Sequence, residues 1–113
     1  AWLPGVLDRP LKEGKGWVSI RKNEIEAFAL RYPLNRLALI YCRGRSARSG
    51  QGTALLDCLE AEALKEGQQF LLTEASLMSY KLLLRRNWEI LSPQIINIAG
   101  VTFQRFLMKK ELR

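Results

Sequence analysis

The stretch Leu37-Ala38-Leu39-Ile40-Tyr41-Cys42-Arg43-Gly44-Arg45-Ser46-Ala47-Arg48-Ser49-Gly50-Gln51-Gly52 decides how this sequence is read. Its first six residues are apolar without alternation, the pattern of a strand buried on both faces. The ten that follow contain no β-former and cannot pack a core. From Thr53 to Glu66, Leu55, Leu56, Leu59 and Ala63 then keep helical spacing, with Glu60, Glu62, Lys65 and Glu66 facing solvent and Gly67 placed to end the helix. A buried strand, a basic glycine-rich loop and a helix in direct succession make an anion-binding arrangement. The first N–H groups of a helix lack partners and its macrodipole is positive there, and glycines let that backbone approach a phosphate closely. Arg43, Arg45 and Arg48 add full charges, so a pyrophosphate or similar anion is the expected ligand. Two other nucleotide loops do not fit. No Lys follows Gly52, as a P-loop requires, and Leu55 stands where the dinucleotide fingerprint has its third glycine.

Outward from this stretch, residues 1–16 read as a loop-rich lead-in with Pro4, Gly5, Pro10, Gly14 and Gly16. Trp17 to Arg21 and Glu24 to Tyr32 read as strands around a Lys22-Asn23 turn, and Pro33 to Arg36 turns the chain into the Leu37–Cys42 strand. After the helix, Gln69 to Glu74 is a short strand. Ser76 or Ser79 caps a second helix running to about Arg86 and ended by Asn87. Glu89 to Ile98 and Val101 to Lys109 form a terminal hairpin turning at Ala99-Gly100. The predicted fold class is α/β (α+β), a mixed and mostly antiparallel sheet with helices packed on it in the order β-β-β-α-β-α-β-β. Trp17, Trp88, Phe103 and Phe106 fall within this pattern as core residues.

The 113 residues fit one domain, 1–113, with a modest core. No apolar run approaches the ~20 residues of a membrane helix, and the start lacks a secretory pattern. Eighteen Lys and Arg against eleven Asp and Glu give a formal charge of +7, which favours an anionic partner. Cys42 and Cys58 form no zinc spacing and read as free thiols, which suits a cytoplasmic protein. The absence of histidine removes the commonest general base and the usual metal ligands, so no metal is expected.

Ala47-Arg48-Ser49-Gly50-Gln51-Gly52-Thr53-Ala54-Leu55-Leu56, continued by Asp57-Cys58-Leu59-Glu60-Ala61-Glu62-Ala63, resembles the acetyl-CoA loop and following helix of the GNAT-type N-acetyltransferases, Arg/Gln-x-x-Gly-x-Gly/Ala. The resemblance runs through Thr73-Glu74-Ala75-Ser76-Leu77 to Arg86-Asn87-Trp88-Glu89-Ile90 and covers roughly residues 17–109. It departs from the family at Ala47, the first motif position. Met78 stands where an Asn that contacts the cofactor is common, and Leu83 where many relatives have a tyrosine that protonates the thiolate. Arg43 replaces a frequent His, and Asn87 the Gly of a Gly-Phe pair. The family also places a strand and two helices ahead of the Trp17 strand, for which the first 16 residues leave no room. The expectation is either a fragment or a shortened variant whose open sheet edge a second protomer covers, that is, a homo-oligomer.

The resemblance implies acetyl-CoA as co-substrate and transfer of its acetyl group to an amine of unknown identity. Backbone groups of Tyr41 and Cys42 would line the thioester, and amides of Arg48, Ser49, Gly50, Gln51, Gly52 and Thr53 would hold the pyrophosphate. With no histidine, the candidate bases are carboxylates, Glu24, Glu26 and Glu74, while Tyr41 and Tyr80 are candidate thiolate acids. Replacing Gly50 and Gly52 by Val is expected to abolish cofactor binding and leave the fold largely intact. Lys81, Arg85 and Arg86 recur at helical spacing, read either as a solvated face or as a surface for RNA or another polyanion, including a tRNA-linked substrate. Two alternatives stay open: a degenerate member that binds CoA or a protein partner without catalysis, and a basic nucleic-acid-binding module.

Overall fold

The computed structural model describes residues 13–43 and 50–113. The expected element order is present: β1 (Lys15–Arg21), β2 (Glu24–Arg31), β3 (Leu37–Cys42), α1 (Gln51–Lys65), β4 (Phe70–Ser76), α2 (Tyr80–Arg85), β5 (Glu89–Ile98) and β6 (Val101–Glu111). Several boundaries move. The lead-in stops at Gly14, because Lys15 and Gly16 already pair with Arg31 and Leu30 of β2. The first helix opens at Gln51, two residues early.

The turns follow from backbone chemistry. Lys22 and Asn23 (φ 52° and 65°) join β1 to β2, and Ala99 and Gly100 (φ 52° and 82°) join β5 to β6. Both are two-residue hairpins with two positive φ values, whose twist matches that of the strands they connect. The helices end alike. Gly67 (φ 92°) and Asn87 (φ 69°) are left-handed, and the residue after each donates back five positions, Gln68 to the Ala63 carbonyl and Trp88 to the Leu83 carbonyl, both at 3.0 Å. These are Schellman closures, and Asn serves the second because its side chain tolerates that region.

The strands form two antiparallel three-stranded sheets, β1-β2-β3 and β4-β6-β5. They meet at one parallel bridge, Arg36 to Leu72, with the Leu72 N–H donating to the Asn35 carbonyl at 2.9 Å and the Thr73 hydroxyl to the Leu37 carbonyl at 2.7 Å. Beyond it, β3 and β4 share no ladder pairing among the described residues. The sheet therefore divides between its central strands.

One core spans both halves. Ala27 and Ala29 of β2 pack with Leu55, Leu56, Leu59 and Ala63 of α1, and with Leu71, Ala75, Leu83, Trp88 and Met108. Small residues on β2 let the four large or small apolar residues on one side of α1 come close to the sheet. Of the four aromatics expected in the core, Trp88 is buried and Trp17 and Phe106 pack against its edge. Phe103 does not: it is 48% exposed, because it lies near the hairpin tip beyond the reach of either helix. Glu60 also departs from its expected solvent position. It accepts from the Trp88 indole at 3.1 Å and pairs with Lys110 at 3.3 Å, since β6 and the start of β5 press against that side of α1.

A charged lock closes the far end of α1. Arg31, its side chain wholly buried, donates to the Leu34 carbonyl at 2.9 Å and to Glu66 at 2.9 Å, and Lys15 also bonds Glu66. The Lys15 ammonium and the Arg31 guanidinium draw the Glu66 carboxyl from its ordinary value down to about 2. A depressed carboxyl contributes stability above its unfolded pKa, near 4.5, and loses it as pH falls toward the folded value. Glu66→Gln should thus be less stable than the parent at pH 7, with the gap closing as pH falls below about 4.5. Urea unfolding of both proteins across that range checks this, and a gap independent of pH would refute it.

Candidate functional site

The predicted strand and helix do converge. β3 ends at Cys42, α1 opens at Gln51, and α2 approaches the same place, leaving an open cleft of about 630 Å³ lined by Cys42, Gly50, Thr53, Met78, Lys81, Leu82 and Arg85. Gly50 is the N-cap of α1, left-handed at φ 84°, with no side-chain cap and no acidic residue in the first turn. A Cβ built on Gly50 meets nothing within 4 Å. Among the described residues, no side chain caps the opening of this fifteen-residue helix, whose positive dipole end borders the cleft. Gly50 and Thr53, two of the residues that the resemblance assigns to the pyrophosphate, line this cleft.

Gly52 also has a packing role. A Cβ there would lie 2.5 Å from the Cys42 sulfur and 3.1 Å from Leu82 Cδ2. Its N–H is directed at the Cys42 thiol. Gly52 is thus the contact point of α1, β3 and α2, and the expectation that a valine there spares the fold is corrected. Burial pushes the Cys42 thiol above its ordinary value, against the opposing pull of the Gly52 amide. A thiol held in its neutral form is a poor nucleophile. Gln51 turns the other way, its side chain accepting from the Ser19 hydroxyl of β1.

Arg43 is not aimed at a phosphate. Its guanidinium pairs with Glu24 at 3.1 Å and its N–H donates to the Glu26 carbonyl at 2.7 Å, which draws it back along β2. Arg45, Arg48 and Ser49, expected around the phosphate, lie outside the described residues.

The three candidate catalytic residues are spread along the sheet. Glu74 lies on β4 on the face opposite to the buried Leu71, Thr73 and Ala75, two residues past the bridge where the sheets part. Arg36 grips its Oε2 twice, from Nε at 3.0 Å and Nη2 at 2.6 Å. Tyr41 is 46% exposed at the end of β3, its ring tilted against Phe28 at 5.8 Å. Glu26 is buried at the β-bulge where Ser19 pairs with Ala27 but Ile20 with Ile25. Tyr80 packs on Phe106 at 4.8 Å, Leu83 is fully buried, and Met78 is exposed on the cleft.

Lys81, Leu82 and Arg85 were not assigned to the site by sequence. Helical spacing put Lys81, Arg85 and Arg86 on one basic helix, but the structure separates them. Arg86 pairs with Asp57 of α1, while Lys81 and Arg85 line the cleft. The one readable signal was the four-residue interval between Lys81 and Arg85, which sets two side chains on one face. No helix is long and apolar enough to cross a membrane, and no cluster of metal-ligating side chains occurs among the described residues.

No protein family and no curated protein matches this sequence. Solved structures do match. A GCN5-related N-acetyltransferase from Rhodopseudomonas palustris shares 19% identity at a TM-score of 0.83 over 91% of this chain, which spans 64% of that protein. An N-acetyltransferase from Staphylococcus aureus shares 16% identity at 0.74, over 93% of this chain and 72% of that one. An aminoglycoside 6'-N-acetyltransferase complexed with coenzyme A shares 13% at 0.69, over 89% and 74%. The two diverging sheets, the helix opening at the cleft and these likenesses lead to one conclusion: the chain has the mixed α+β fold of the GNAT-type N-acetyltransferases.

Proposed function

We propose that this chain is a single GNAT-like domain that binds acetyl-CoA and transfers its acetyl group to an amine. The observation that carries the reading is the cleft at the opening of α1, where Gly50 leaves space for a phosphate and the first helical turn holds no acidic side chain. Backbone amides of the loop and of the first turn hold the pyrophosphate, including those of Arg48, Ser49, Gly50, Gln51 and Thr53. The end of β3 at Tyr41 and Cys42 forms the wall that the thioester arm follows. Acetyl-CoA supplies a thioester carbonyl for attack by the amine.

Glu74 is the base best placed for that amine. Arg36 fixes the carboxylate through Oε2, and Oε1 has no partner among the described residues, so it is available to accept the amine's proton. Tyr41, half in solvent at the β3 end, is the acid for the departing thiolate. Glu26, buried at the bulge, supports the β2–β3 end of the site. One observation favours a second reading, binding without turnover: Leu83 is sealed in the core where many relatives carry a tyrosine. The protein acts in the cytoplasm on a free, protein-borne or tRNA-linked amine, and a homo-oligomer covers the outer edge of β1.

A thermal melt tests the cofactor. Acetyl-CoA at ~100 times its dissociation constant adds ~2.7 kcal/mol, a rise of roughly 10 °C for a domain of this size. ATP at equal concentration should give much less. No shift with acetyl-CoA would remove the reading, and a shift without acetyl transfer to any amine would leave the binding-only form.

A further inference from the structure

Lys81 and Arg85 stand four residues apart on α2, so their side chains leave the helix on one face, and both line the same cleft as Gly50 and Thr53. Neither has an acidic partner among the described residues. Their neighbours do: Arg86 is paired with Asp57, Lys110 with Glu60, Arg36 with Glu74 and Arg43 with Glu24. Two like charges at this spacing repel one another, and here they do so beside a helix opening that is itself positive. The arrangement suits an anion. It also exceeds what one anion requires, since a cleft of about 630 Å³ has the size of a site for a whole organic ligand.

The two positive features suit different phosphates. A helix opening offers N–H groups and partial charge, which match the singly charged phosphates of a pyrophosphate diester. A guanidinium and an ammonium together offer two full charges, which match a terminal phosphomonoester carrying about −1.5 to −2 at pH 7. Resting on the acetyl-CoA reading, we infer that Lys81 and Arg85 bind the 3′-phosphate of the CoA nucleotide and make the site selective for CoA over its 3′-dephospho form. They are specificity residues and take no part in the chemical step.

The test is calorimetric binding of CoA and of 3′-dephospho-CoA to the parent and to the Lys81→Gln/Arg85→Gln double variant, whose altered side chains are both exposed. The parent should bind CoA about tenfold or more tightly than dephospho-CoA, the effect of one charge-assisted hydrogen bond of ordinary strength. In the double variant that preference should vanish, with dephospho-CoA bound as the parent binds it. Equal affinities in the parent would overturn the inference, as would a variant that weakens both ligands by the same factor. The acetyl-CoA reading fails separately, and takes the inference with it, only if the parent binds neither nucleotide.

Discussion

Gly52→Val lowers the melting temperature by more than about 10 °C. The first atom of any side chain at this position falls 2.5 Å from the Cys42 sulfur, and the next neighbour, Leu82, stands at 3.1 Å. Three elements meet there, so relief requires the Cys42 thiol and the Leu82 tip to turn away or α1 to move off β3. Overpacking of a tight site costs about 3 kcal/mol, and for a domain near this size each kcal/mol is roughly 4 °C or more. Gly52→Ala carries the sharper sign. Inside a helix, Gly to Ala ordinarily stabilises by up to about 1 kcal/mol, so a fall in stability can only come from the contact. Trimming Cys42 to Ala should restore much of what Gly52→Ala loses, and a double-mutant cycle measures that coupling. Additive effects of the two changes would show that the thiol is not the obstacle. Gly50 makes the control, because its missing Cβ points into open space. A side chain there disturbs the cleft and the left-handed cap and leaves the core alone.

Trp88→Ala has the second large effect, a loss of about 3–5 kcal/mol. The indole is 2% exposed, follows directly on the left-handed Asn87, and donates to Glu60 at 3.1 Å. It is where the end of α2, the start of β5 and the middle of α1 are joined. Trp88→Phe keeps most of the volume and removes the N–H. Glu60 still has Lys110, so this variant should lose only about 1 kcal/mol. Equilibrium unfolding of the pair separates packing from hydrogen bonding, and an alanine variant within 1 kcal/mol of the parent would contradict the assignment.

The sequence was most legible where local chemistry decides the outcome. The unbroken apolar run of β3, the helical spacing after Gly52, and the residues at 22–23, 67, 87 and 99–100 each specify a backbone state with little help from elsewhere. Legibility failed where a side chain's fate depends on a distant neighbour. Gly52 reads as a phosphate glycine alone, and its packing role shows only when Cys42 and Leu82 are brought beside it. Arg43 reads as a ligand for an anion until Glu24 of the adjacent strand claims it. Lys81, Arg85 and Arg86 look equivalent in a line of text, and only the proximity of Asp57 to the last of them shows which two face the cleft. Glu60 and Phe103 exchange their expected environments for the same reason: β6 reaches one and neither helix reaches the other.

The division of the sheet also bears on where further strands could add to this basic protein. Two three-stranded sheets have four border strands, β1, β3, β4 and β5, where one six-stranded sheet would have two. An unpaired border is a template for runaway strand addition. Here β3 and β4 begin as each other's neighbours, so two of the four borders turn inward on a shared notch. Of the outer two, β5 bears the usual deterrents: it opens with Glu89 and carries Pro93, which has no N–H to give. The cut between β3 and β4 thereby adds no new outward border among the described residues, and the hazard of a broken sheet is kept inside the molecule.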